Sequence, residues 1–148
     1  MSCPDENSSC MVCYSFDDYE SWITPYPYEI YVSQMQKLLD LWQQGIDILA
    51  RAREDESIRE LLCFAKAARL HFKTDLLQTK FARAKREGDK ALMLLCVNEE
   101  KETASELLSL MRADARIGYE ASNHYFYTER GLIEKIIRMD DLARLLRG

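Results

Sequence analysis

Glycine and proline are scarce in this chain, with five and three among 148 residues. A fold of many short strands needs turn residues at frequent intervals, so their scarcity argues against an all-β architecture. A run of about 18 apolar residues is also missing, and no membrane-spanning helix is expected. The start of the chain lacks a basic segment followed by an apolar run, so no secretory leader is read there. There is no excess of positive charge. Twenty basic residues stand against 25 acidic ones, for a formal net charge of −5, which leaves no broad surface for a polyanion. The expectation is a cytoplasmic chain whose partners include neither nucleic acid nor membrane.

The five cysteines are Cys3, Cys10, Cys13, Cys63 and Cys96. Their odd number, with two inside helical patterns, fits a reducing compartment better than a disulfide scaffold. Cys10 and Cys13 have CxxC spacing, but a structural zinc takes four ligands. Cys3 and either His71 or His124 would have to complete the set. Free thiols are the simpler reading, and no metal ligand or cofactor is assigned.

What the chain has in quantity is helical periodicity. Apolar residues make up 47% of it, enough at this length for one hydrophobic core. Ile30, Met35, Leu38, Leu39, Trp42, Ile46 and Leu49 recur with spacings that predict a helix over about 28–52. Gly45 inside it would allow a neighbouring helix to approach closely. A second helix is predicted over 57–86, with its apolar face broadest from Leu61 to Ala68, the portion expected to lie at the centre. Glu87-Gly88-Asp89 then reads as a turn: Gly88 suits positive φ, and Asp89 suits the next cap. A third helix is predicted from Lys90 to about Ile117, with Asn98–Glu102 as a solvated interval between two apolar clusters. Thr128 is the expected cap of a short helix, and Asp140 of a further turn.

The predicted fold is therefore all-α: an antiparallel bundle of three long helices plus one or two short C-terminal helices. An irregular aromatic N-terminal arm precedes it. Residues 1–30 are read as a flexible and extended arm and residues 28–148 as the helical bundle domain. The charge runs 51–56 and 82–87 are read as solvated faces, although Lys80, Arg83, Lys85 and Arg86 make a local basic patch.

Two stretches carry more specific chemistry. In the arm, Tyr14, Phe16, Trp22, Tyr26 and Tyr28 need apolar surface to cover, on their own helices or on a partner. With Tyr125 and Tyr127 they are the candidate interface or sugar-contact residues. At the end of the third helix, Asp114, Arg116, Glu120, Asn123 and His124 lie within eleven residues. Buried in a crossover, they would have to pair with one another. Lining a pocket, Glu120 or Asp114 with His124 could support acid–base chemistry. Yet no nucleophile has an activating partner, and no pair of carboxylates sits on regular structure at a separation that predicts glycosidic cleavage. No catalytic residue is assigned.

Arg116–Tyr127 followed by Leu132-Ile133-Glu134-Lys135, together with Phe16–Trp22 and Thr24–Tyr28, resembles the C-terminal end of large bacterial glycoside hydrolase-like proteins. These are distant relatives of family-20 hexosaminidases and alpha-glucuronidases. The resemblance spans roughly residues 14–142. It implies a C-terminal helical domain following a barrel that holds the glycosidase chemistry. The catalytic carboxylates of such a barrel have no counterparts here, so no catalytic role transfers. The function expected is non-catalytic support of domain packing or assembly, with an upstream domain of a parent protein or a homo-oligomer as partner and carbohydrate as a candidate ligand. The alternatives are a stand-alone homodimeric interaction module and a small hydrolase using Glu120 and His124.

Overall fold

A computed structural model describes residues 18–52, 55–117, 119–120, 125–126 and 128–148, with only the backbone path described at 119, 120, 125 and 126. Tyr14, Phe16 and the CxxC pair fall outside this range. So do Asn123, His124, Tyr127 and the side chains of Glu120 and Tyr125.

The elements in chain order are α1 (Tyr19–Ile23), α2 (Tyr28–Ala50), α3 (Glu56–Glu87), α4 (Lys90–Ala113), β1 (Tyr119–Glu120), β2 (Tyr125–Phe126) and α5 (Glu129–Arg147). The predicted all-α bundle of three long helices is present. The last helix is longer than expected, one element of 19 residues. Asp140 lies inside it rather than capping a further turn, because the apolar spacing continues unbroken through Leu142 and Ala143. Part of the aromatic arm is helical. Asp18 caps α1 through its side chain, and α1 leads through the Thr24–Pro27 segment to α2.

The helix ends follow local chemistry. Asp55 Oδ1 accepts from the Ile58 N–H at 2.9 Å, Asp89 Oδ1 from Leu92 at 2.9 Å and Thr128 Oγ1 from Gly131 at 3.0 Å. Each satisfies an N–H that the first turn of a helix cannot pair internally. Gly88 closes α3 at φ 73°, a left-handed conformation that glycine adopts without a side-chain clash. β1 and β2 form a two-residue antiparallel ladder, with Tyr119 opposite Phe126, that returns the chain from α4 to α5.

The long helices pack as successive neighbours: α2 on α3, α3 on α4 and α4 on α5. One core cluster lies where α3, α4 and α5 meet, with Ala67, Leu70, Leu107, Leu108, Ile117 and Leu132 buried together. Leu61 and Phe64 are exposed. The buried positions of α3 thus run from Ala67 to Ala84 rather than over the predicted 61–68. On the other side of α3, Trp42 packs edge-on against Phe72 at 5.0 Å and donates Nε1–H to the Ala65 carbonyl at 2.7 Å. This satisfies the polar tip of a half-buried ring. Gly45 has nothing within 4 Å of where a Cβ would stand, so it marks no close helix approach.

Candidate functional site

The crossover after α4 is built around Asp114 and Arg116. The Asp114 N–H still bonds to the Leu110 carbonyl at 2.9 Å, after which the chain leaves the helix. Asp114 Oδ1 accepts the Arg116 backbone N–H at 3.0 Å and Nε–H at 2.9 Å, while Oδ2 accepts Nη2–H at 2.6 Å. The same Nη2 donates to Glu60 Oε1 on α3 at 2.9 Å, and the guanidinium lies 5.4 Å from the Phe64 ring centre. Hydrogen bonds from the Arg116 side chain, then from its backbone, hold the Asp114 carboxyl down at about 2. Arg116 is exposed. This network is therefore a surface clasp joining the end of α4 to the start of α3, and both oxygens of Asp114 are occupied within it.

The aromatic corner forms a second region. Tyr19 and Ile23 of α1 are buried against Ala82 of α3, with Trp22, Tyr28 and Tyr31 packed around them. Tyr28 meets Tyr19 edge-on at 5.6 Å. Trp22 Nε1–H donates to Thr79 Oγ1 at 3.3 Å. Among the described candidate contact residues, Trp22 and Tyr28 are half-buried within the chain, and Tyr26 is the exposed ring. Arg83 stacks 4.3 Å from the Tyr28 ring centre and bonds to Glu29 at 3.1 Å and Glu87 at 2.6 Å. Arg86 lies over Tyr19 and pairs with Glu20 at 2.9 Å. Two cations of the predicted basic patch are thus neutralised by carboxylates from α1, α2 and α3.

A third region was not visible as a site in the sequence. α3, α4 and α5 line a cavity of about 260 Å³ that opens to solvent, walled by Leu77, Phe81, Val97, Met139 and Leu142. Thr74, Glu100 and Lys135 form its polar part. Glu100 is buried, at 9% exposure. Its Oε1 accepts from Thr74 Oγ1 at 3.1 Å and from Lys135 Nζ. Its Oε2 is shielded from solvent and has no hydrogen-bond partner among the described residues. Predicted as part of a solvated interval, Glu100 instead faces inward, because its neighbours at helical spacing, Cys96, Val97, Thr103 and Ala104, are all buried.

The charge pair colours its surroundings. His71 is held below its usual value by burial and then by Lys135, with Glu100 pulling the other way. The Asp75 carboxyl is raised by lost hydration and then by Glu100. Burial pushes the Cys96 thiol up to about 11, so this free cysteine stays protonated and is a poor nucleophile at neutral pH.

No protein-family model, no curated protein and no solved structure matches the chain.

Proposed function

We propose that the chain is a non-catalytic helical domain that packs against another domain of a longer, carbohydrate-active polypeptide. The outer face of α2 carries this reading. Ile30, Leu41 and Ile48 are 49%, 65% and 70% exposed. At 100° per residue, Leu41 falls about 20° and Ile48 about 0° from Ile30, so the three share one face, with exposed Gln34, Lys37 and Gln44 between them. Leu39 and Ile46 occupy the opposite side and are buried. Among the described residues, α2 packs on α1 and α3 alone, which leaves its stripe uncovered.

Size decides between occupants. Eighteen residues of helix span about 27 Å, and a helix is about 10–12 Å wide, so the stripe offers roughly 300 Å². A stable association of separate chains buries about 800 Å² per partner. The stripe alone falls well short of that. Tethering in one polypeptide supplies an effective concentration of about a millimolar, at which a small face suffices. This favours a covalently linked partner over the stand-alone homodimer. The carbohydrate-active character of that partner is supported by the motif resemblance.

Sedimentation velocity on the chain alone tests the assignment. At about 50 μM the chain is expected to sediment as a monomer. A dimer of low-micromolar affinity, abolished by Leu41→Glu, would replace this reading with the homodimeric module. A glycoside hydrolase-like barrel in the same reading frame is the expected genomic finding.

A further inference from the structure

The cavity between α3, α4 and α5 receives no residue of α2, so what it does is separate from docking through the α2 face. Its wall is hydrocarbon over most of its extent, while Glu100 and Lys135 bring opposite charges together at one part of it. The pair carries no net charge. It offers both kinds of hydrogen-bonding group: Lys135 Nζ has three N–H bonds, and Glu100 has an oxygen without a partner among the described residues. A buried acceptor left unmatched is costly, and here water does not reach it. Oε1 is held by Thr74 and Lys135, so a donor entering the cavity meets this oxygen by a turn of the carboxylate about its soft last torsion in which those bonds readjust.

We propose that this cavity binds a small neutral amphiphile: an apolar body of one or two rings carrying a single hydroxyl. Three features select that class. First, a hydroxyl both donates and accepts, which matches the acceptor on Glu100 and the donors on Lys135 with one group. Second, a carboxylate would meet Glu100 and an ammonium would meet Lys135, so a charged head gains from one and is repelled by the other. Third, an apolar cavity of about 150 Å³ takes up benzene, and drug-sized ligands occupy about 300–1,000 Å³. A volume of about 260 Å³ therefore suits a molecule of about two rings.

The test is calorimetric titration of the whole chain with 1-naphthol, naphthalene and 1-naphthoate. 1-Naphthol is expected to bind at least tenfold more tightly than either of the others, a preference within reach of one hydrogen bond to a charged group. Leu142→Trp takes up part of the cavity and is expected to weaken binding of both neutral probes by at least tenfold. Should that variant fail to give a cooperative thermal transition, Met139→Phe narrows the same wall and is expected to weaken both by at least tenfold. Glu100→Gln removes the charged acceptor and is expected to bring naphthol and naphthalene to within about threefold of each other. Absence of naphthol binding up to about a millimolar would overturn the proposal. So would equal affinity for naphthol and naphthalene, or naphthol binding unchanged in the cavity-narrowing variants, which would put the probe elsewhere.

Discussion

Arg116 and Lys135 both tie acidic side chains across the bundle, yet they work at different depths. Arg116 is exposed, bonds Asp114 two residues away and reaches Glu60. Lys135 bonds Oε1 of a buried glutamate 35 positions earlier in the chain, whose Oε2 has no hydrogen-bond partner among the described residues. The Arg116 guanidinium and Glu60 keep about half of their side-chain surface in water, although the Asp114 side chain is 17% exposed. In the second, the carboxylate has already given up its water, and the cation is what compensates. Similar residue types therefore carry unequal consequences.

The largest effect expected follows from removing one partner at depth. Lys135→Met leaves the Glu100 carboxylate buried without its cation. Allowing for the partial exposure of Lys135, the cost is about 2–3 kcal/mol, toward the low end for a broken buried pair. In a domain of this size that corresponds to a fall in Tm of roughly 4–10 °C. Changing Glu100→Met as well is expected to recover most of the loss, since an apolar pair of similar volume needs no compensation. Urea unfolding of the two single variants and the double variant measures this. A Lys135→Met variant no less stable than Arg116→Ala would erase the contrast between the pairs.

His71 extends the contrast into pH. Its folded value is depressed, by burial first and by Lys135 second. Between that value and its ordinary 6.5, the unfolded chain binds more protons than the folded one. Stability from this group is therefore complete above about 6.5 and declines as pH falls toward the folded value. Urea midpoints at pH 7.5 and pH 5.5 are expected to differ more in the wild-type chain than in His71→Gln. Asp75 contributes in the opposite direction but is common to both proteins, so the difference between them reports the histidine. A wild-type profile parallel to that of His71→Gln would remove His71 from the account.

Most of the helical framework was legible because its determinants are local. Apolar spacing marks the long helices, Gly88 and Asp89 mark a turn that needs positive φ followed by a cap, and Thr128 marks the start of α5. Depth was harder to read. The face from Leu61 to Ala68 is apolar, but which end of α3 is covered depends on where α2 and α4 stop. Glu100 was hidden by its charged neighbours Glu99, Lys101 and Glu102, and its partner lies on another helix. One signal could have found it. Counting by threes and fours from Cys96 through Glu100, Thr103 and Ala104 to Leu107 keeps to a single buried stripe, and a charge on such a stripe demands a partner. Asp114 and Arg116 were legible as a polar pair two residues apart, but the reach of Arg116 to Glu60, 56 positions earlier, depends on how α3 and α4 pack.

The smallest effects expected belong to that surface clasp. Arg116→Ala removes bonds to Asp114 and Glu60 and a contact over Phe64, all in reach of water, and is expected to cost no more than about 1 kcal/mol. Its clearer signature is in titration. With Arg116 in place, Asp114 ionises at about 2, below its ordinary 3.8. The unfolded chain therefore binds more protons between these values. The clasp contributes above about 3.8, and its contribution is lost as pH falls toward 2. A carboxyl carbon-13 titration of Asp114 is expected to show a midpoint near 2 in the wild-type chain, shifted toward the ordinary carboxylate range in Arg116→Ala. Salt separates the two depths once more. At about 1 M the screening length falls to about 3 Å, so the Asp114 midpoint should rise while the stability difference between Lys135→Met and the wild-type chain changes little. If both respond equally, the Glu100–Lys135 pair is as accessible to ions as the clasp, and burial is not what distinguishes them.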